Sequence, residues 1–139
     1  MRWKPLIFAG FAAASAVGAY FFFQSLRGYE EFRVDRNAAH DLIRQGWVSN
    51  CISKTASDIN VKYVVETNEV WGRYLYREDP FSCETDIVKQ GLPVSPRADW
   101  WITKRAFDPT TVHSIRGERR TYAVIDSGAK TVFFWKLET

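Results

Sequence analysis

The chain has 139 residues, enough for one domain of ordinary size. Hydrophobic residue types make up 46% of it and charged types 25%, which excludes a disordered tail, a collagen-like repeat and a disulfide-dense miniprotein. The formal net charge of +3 falls to +1 when the two positive charges of Arg2 and Lys4 are set aside, and a body this close to neutral argues against nucleic acid as a partner.

The first predicted element is an uncharged apolar stretch over residues 6–23, LIFAGFAAASAVGAYFFF. As an α-helix it would extend about 27 Å, close to the roughly 30 Å hydrocarbon thickness of a bilayer. Arg2 and Lys4 precede it, which favours a cytoplasmic N-terminus. The sequence therefore predicts a single-pass anchor in the cell membrane over residues 1–26 and an extracytoplasmic (periplasmic) domain over residues 27–139.

A cleaved signal peptide is the alternative interpretation of this stretch, because Ala14, Ser15 and Ala16 fit a small-residue cleavage site. Both interpretations place the body outside the cytoplasm, and they differ in whether it stays tethered. Gly10, Ala14 and Gly18 are spaced four residues apart, which lines small residues along one face of a helix. Either this stripe packs against an integral membrane protein or complex, or it reflects how common Gly and Ala are in membrane helices.

A short helix is expected over residues 36–45, after residues 24–34 that continue the membrane helix or form a stalk. Asp35 is placed as the N-cap of this helix, and Gly46 follows as the left-handed residue that ends it. The apolar stripe of the helix is narrow, which predicts that the helix lies on a sheet.

Short extended runs follow the helix. Residues 47–53 form the first, and residues 61–67 are rich in β-branched side chains. A two-residue link leads to residues 70–77, so these two runs predict a hairpin, and Gly72 marks a bulge or a close packing contact. Residues 82–90 fit either a strand or a capped helix, and we favour the strand.

Residues 98–105 are predicted to form a strand that places Trp100 and Trp101 on opposite faces, and the segment from 107 to 117 is predicted to be irregular. The clearest hairpin joins residues 119–125 to residues 131–138 through a loop that contains glycine. Its second strand is apolar on both faces, which is typical of a central or covered strand.

The predicted fold class is α+β, with a single N-terminal transmembrane helix, a short helix and an antiparallel sheet of about five or six strands. Two cysteines, Cys51 and Cys83, lie in the body without a C-x-x-C motif or a nearby histidine, so a zinc site is poorly supported. In an oxidising compartment such a pair most often forms one disulfide. Two unrelated buried thiols are the alternative.

No motif in the chain specifies a reaction: a G-x-S-x-G elbow, an H-E-x-x-H helix and a glycine-rich phosphate loop are all missing. His113 and Ser114 are neighbours near Asp108, but adjacent side chains on an extended chain point apart. His40 is expected on the surface of the short helix. We therefore predict no catalytic residues, no cofactor and no metal, and an enzyme is not expected.

Charge is unevenly distributed along the body. Residues 58–86 carry a net charge of −4 and residues 97–120 a net charge of +3. Either adjacent strands of opposite sign cancel across the sheet, or a basic surface faces a protein partner or anionic lipid. The candidate interaction surface comprises Trp100, Trp101, Lys104, Arg105, Arg116, Arg119 and Arg120. Whether a second layer covers one of the two tryptophans is left open.

These features predict a membrane-anchored, non-enzymatic interaction protein, an accessory or assembly subunit of a larger membrane complex. One alternative is an anchored immunity or exclusion protein that binds a toxin or an incoming element. Another is a small periplasmic enzyme that uses His113 as its base.

Overall fold

An antiparallel sheet of seven strands organises the computed structural model, which describes residues 18–19, 28–89, 91–92, 98–102 and 111–137. The strands are β1 (Tyr29–Val34), β2 (Ser57–Val64), β3 (Glu69–Leu75), β4 (Thr85–Val88), β5 (Val112–Ile115), β6 (Thr121–Asp126) and β7 (Thr131–Lys136). Helix α1 (Ala39–Arg44) lies between β1 and β2. The predicted antiparallel sheet is confirmed, with seven strands in the described residues where the sequence predicted five or six.

The last strand of the sheet, β7, lies in its middle, because the strand order is β1-β2-β3-β7-β6-β5-β4. Val132 and Phe134 pack into the core on one face of the sheet, and Phe133 and Trp135 pack into the core on the other. A strand that is apolar on both faces has to be covered on both, and a central position satisfies this. The prediction for this strand is confirmed.

One face of the sheet is covered by α1 and by the segment that follows it, residues 45–56. Leu42 of α1 and Ile52 of the segment are buried against residues of the sheet such as Val61 and Phe134. A disulfide joins Cys51 in this cover to Cys83 before β4, with the two Cα atoms 5.2 Å apart. The predicted disulfide is thereby confirmed.

The other face is covered by residues 98–102, which form a turn rather than the predicted strand. The ring of Trp101 packs edge-on against Trp71, Phe133 and Trp135, at centroid distances of 5.1, 5.8 and 6.3 Å. Trp101 is only 7% exposed. Burying a large aromatic ring on this surface stabilises a covering turn more than pairing of the segment with a sheet edge would.

The ends of α1 show which predicted signals act locally. Asp35 accepts the N–H of Ala38 at 2.8 Å and so caps the turn that precedes the helix; α1 itself begins later than predicted. At the other end, the N–H of Gly46 donates to the carbonyl of Ile43, and the next N–H donates to the carbonyl of Leu42, both at 2.9 Å. Gly46 has φ +78°, as a helix-ending left-handed residue requires.

Several other predictions are confirmed. The hairpin of β2 and β3 is present, although its turn comprises the four residues 65–68 rather than the predicted two-residue link, with Val64 paired to Glu69. The run that fitted either a strand or a helix is the strand β4. Gly72 marks a close packing contact, because an added Cβ would lie 2.1 Å from the ring of Phe134.

Three segments differ from the prediction. Residues 29–34 form the edge strand β1 rather than a helix or a stalk, and residues 47–53 form turns with one isolated bridge from Ile52 to Phe81. The segment predicted to be irregular contains β5. In β1, charged side chains alternate with Phe32 and Val34, so its mean hydropathy is low although one face is packed.

Within the described residues, no helix combines the length and the hydropathy needed to cross a bilayer. The predicted anchor lies outside these residues except at Gly18 and Ala19, which are helical. Gly10 and Ala14 also lie outside them, and nothing stands within 4 Å of a Cβ placed on Gly18. The anchor and its packing stripe stay predictions.

Candidate functional site

The tryptophans of the predicted interaction surface lie in the cover of one sheet face. Trp101 is buried, and Trp100 is half-buried, with its indole N–H donating to Oε1 of Glu31 at 2.6 Å. A second layer therefore covers the aromatic face of the sheet, and Trp100 and Trp101 belong to that layer. Lys104 and Arg105 lie outside the described residues.

Arg116 follows β5 and is held by acidic side chains at β4. Its guanidinium bonds to Asp86 at 2.6 Å and also to Glu84. The hydrogen bond from Arg116 lowers the pKa of Asp86 below its usual range. At this position, opposite charges on adjacent strands pair across the sheet, which is one of the two alternatives that the sequence predicted.

Arg119 and Arg120 lie in the turn between β5 and β6, where they line a groove of about 660 Å³ that we call the basic groove. The groove is assembled from three parts of the chain: the end of α1, the β5–β6 turn and the end of β7. The N–H of Leu137 donates to the carbonyl of Arg120 at 3.1 Å, which fixes the turn against β7. The other lining residues are Ile43, Gly46, Val48, Asn50, Glu118, Thr121 and Lys136.

The charges of the basic groove are unevenly engaged. Glu118 accepts hydrogen bonds from Oγ of Ser49 at 2.7 Å and from the N–H of Asn50 at 3.1 Å. Lys136 donates to the carbonyl of Gly46 at 3.3 Å. In the described part of the chain, neither arginine of the groove forms an ion pair. Two guanidinium groups are therefore available to an anion from outside.

A second surface is the outer edge of β4. The inner edge of this strand pairs with β5, and no strand pairs with its outer edge in the residues that the structure describes. Ile87 of β4 is 70% exposed, although it is a large apolar side chain. We call this four-residue strand, Thr85–Val88, the open edge.

Of the two histidines, His113 lies beside the open edge and His40 lies away from both surfaces. His113 of β5 is half-buried, shares a hydrogen bond of 3.0 Å with Oγ1 of Thr85, and lies beside Phe81. Burial lowers the pKa of His113. Ser114 points to the opposite face of the sheet, next to Asp86 and Tyr122 in register, and His40 is exposed on α1. The structure does not bring His113 and Ser114 together.

In the residues that the structure describes, no group of three or more His, Cys, Asp and Glu side chains is arranged to hold a metal ion.

The charge count of the sequence pointed to Arg119 and Arg120, but sequence reasoning missed Lys136 and the open edge. Val132, Phe134 and Lys136 occupy every second position of one strand and therefore lie on the same face. This alternating pattern, which ends in a charged residue, was the signal by which Lys136 could have been found.

Comparison with protein families, with curated proteins and with solved structures finds no match. The role of each residue therefore follows from its own contacts, burial and charge.

Proposed function

We propose that this chain is a membrane-anchored, extracytoplasmic interaction protein, an accessory or assembly subunit of a larger membrane complex. The observation that carries the proposal is the open edge, where backbone groups that pair with no strand of the described residues lie beside the exposed side chain of Ile87. An exposed strand edge can pair with a strand of another protein, and the neighbouring apolar side chain adds contact area.

The two edges of the sheet support this proposal by their contrast. Natural proteins protect edge strands with charged side chains that discourage pairing. The β1 edge follows that rule with Glu30, Glu31 and Arg33. At β4 the only charged residue is Asp86, and Arg116 bonds to it and to Glu84, which precedes the strand. The β4 strand thus carries fewer charged side chains than the β1 strand does.

The compartment and the tether complete the proposal. A disulfide between Cys51 and Cys83 persists in oxidising compartments and is rare in the cytosol, which supports translocation of the body. Residues 6–23 would hold the body at the membrane. The stripe of Gly10, Ala14 and Gly18 would give the anchor a second contact with the same complex.

The substitution Ile87→Lys tests the open edge. It places a charge at the apolar contact, and because the side chain of residue 87 is exposed, the domain should still fold. We therefore expect that the tagged full-length protein, purified in mild detergent, no longer brings the partner complex with it. The matched control is Val65→Lys, since Val65 is also apolar, 51% exposed, and lies in the β2–β3 turn away from β4. That control should keep the partner.

A protein that purifies alone under all mild detergents contradicts the proposal. The role of the open edge is contradicted if Ile87→Lys retains the partner as well as Val65→Lys does. The role of the stripe is contradicted separately if Gly10→Leu together with Gly18→Leu leaves the copurifying complex unchanged.

A further inference from the structure

The strand register places the basic groove at the end of the sheet where the chain enters the domain. Tyr29, the first residue of β1, pairs with Val64 at the end of β2. At the same end, Lys136 of β7 pairs with Val70 of β3 and with Thr121 of β6. Four interstrand spacings separate β1 from β6, which is about 19 Å. We call this the anchor end of the sheet.

The length of the tether limits how far the anchor end can stand from a membrane. This step rests on the proposed function, because it takes residues 6–23 as an uncleaved span. The five residues 24–28 then reach at most about 17 Å even when fully extended. The opposite end of β6, with the turn at residues 127–130, lies about 20 Å farther along the strand. The basic groove therefore faces the bilayer surface.

The groove has the donors that a phosphate group requires. The guanidinium groups of Arg119 and Arg120 present planar forks that match phosphate oxygens, and both are exposed at the rim. Glu118, the acidic residue of the groove, accepts hydrogen bonds from Ser49 and Asn50, and its single negative charge is outnumbered by the positive charges of the groove. We infer that the basic groove binds the phosphate groups of anionic phospholipids in the extracytoplasmic leaflet.

Charge at the anchor end gives this contact a direction. Of the carboxylates at that end, Glu118 lies in the basic groove next to its two arginines, whereas Glu30, Glu66 and Glu69 belong to β1, β3 and the turn beside them. An anionic surface repels that half of the domain and attracts the half built from β6 and β7. Binding should therefore appear as a lean of the domain, with the β6–β7 half lowered toward the membrane.

An acidic polypeptide is the competing ligand for the same guanidinium groups. It would have to enter the space between the anchor end and the bilayer, which the tether limits to about 17 Å at β1. Phospholipid headgroups already line that space. The short tether therefore favours phospholipid over an acidic polypeptide as the ligand of the basic groove.

The test reconstitutes the full chain in vesicles of phosphatidylcholine, with or without added phosphatidylglycerol. A dye on Ser127→Cys, in the β6–β7 turn, transfers energy to an acceptor lipid in the bilayer surface. We expect transfer to increase when phosphatidylglycerol is present and to decrease again at high salt. Each arginine should favour the leaning orientation by about fivefold, so Arg119→Glu with Arg120→Glu should abolish the increase.

The matched control is Lys54→Glu with Arg77→Glu. Both residues are exposed, they lie at the end of the sheet opposite the anchor end, and the change in net charge is the same. The increase should persist in this control. If both double variants lose it, net charge rather than the basic groove is responsible, and the inference is overturned.

Three further outcomes also overturn the inference. The first is a wild-type protein that does not respond to phosphatidylglycerol. The second is a response that survives in Arg119→Glu with Arg120→Glu. The third is binding of a polyglutamate peptide, in phosphatidylcholine vesicles, that needs both arginines and blocks the lipid response. A chain that alkaline extraction releases from the vesicles contradicts the proposed function as well, whereas an anchored chain without a lipid response contradicts this inference alone.

Discussion

Gly72 is the residue at which the packing of the sheet is tightest. It lies directly across from Phe134 in the β3–β7 register, and the phenyl ring of Phe134 covers it. An added Cβ would lie 2.1 Å from the ring, a distance that real Cβ contacts essentially never show. Glycine is therefore required here for the space it leaves rather than for its backbone freedom.

We predict that Gly72→Ala destabilises the domain by about 1–3 kcal/mol, because Phe134 has to leave a good rotamer to admit the methyl group. Urea denaturation measures the loss. The control is Gly128→Ala, where the nearest atom to an added Cβ is Oδ1 of Asp126 at 3.5 Å, an ordinary contact. Phe134→Leu should partly relieve the cost of Gly72→Ala; strictly additive losses would contradict the steric explanation.

Single residues also show how far sequence reasoning reaches. Gly72 was predicted to mark either a bulge or a close contact, and the structure shows the contact; Gly46 was predicted to end α1, and it does, because this signal is local. The burial of Trp101 was left open, because it depends on which face of a distant strand the segment covers. The ion pairs of Arg116 depend in the same way on β4 and β5 being neighbours.

At the scale of elements, the β4–β5 pair contains two groups whose pKa values are shifted by folding. His113 faces Thr85, Ile87 and Phe81, and burial lowers its pKa below the usual 6.5. Asp86 is held by Arg116, and its pKa lies below the usual 3.8. In both cases the unfolded chain binds a proton more readily than the folded one, so stability falls as the pH falls.

We predict two separate decreases in stability on acidification. The first begins near pH 6.5, where His113 of the unfolded chain takes up a proton that the folded chain resists; the second begins near pH 3.8 with Asp86. Urea midpoints measured against pH resolve the two. His113→Gln should remove the first decrease and keep the second. If the first decrease persists in His113→Gln, another group is responsible.

The elements that the sequence predicted well are those with strong alternation, such as β2, β3 and β7. The strand β1 was missed because it is an edge strand whose outward side chains are charged. The strand β5 has only four residues, and its two buried ones, Val112 and Ile115, are three positions apart, which breaks a period of two. Residues 98–102 form a turn, contrary to the predicted strand. The reason is that Trp101 packs against an aromatic surface formed by strands that are distant in sequence.

For the whole molecule, the orientation across the membrane is the property that connects the proposals. We predict that alkaline phosphatase fused after Thr139 is active and that a green fluorescent protein fused there is dark, because residues 6–23 would carry the body out of the cytoplasm. A control that deletes residues 6–23 should reverse both signals. Cytosolic behaviour of the full chain would contradict the anchor orientation, the proposed compartment and the lipid contact together.

The basic groove is a property of the whole molecule that no local pattern announced. It joins the end of α1, the β5–β6 turn and the end of β7, which are separated by about half of the chain. The charge count drew attention to Arg119 and Arg120, and the predicted hairpin of residues 119–125 and 131–138 places Lys136 beside them. Predicting the groove would also have required the packing of the end of α1 against this hairpin.

The position of β7 constrains when this domain can fold. In the sheet of the described residues, β1 to β3 form one side and β4 to β6 the other, and β7 is the strand that joins the two. Outside the sheet, the disulfide between Cys51 and Cys83 links the cover to the segment before β4. Until residues 131–136 arrive, neither side has its central neighbour, and the site that Trp135 fills is empty. A chain threaded through a translocation channel from its N-terminal side would thus emerge unfolded and close its core in one late step.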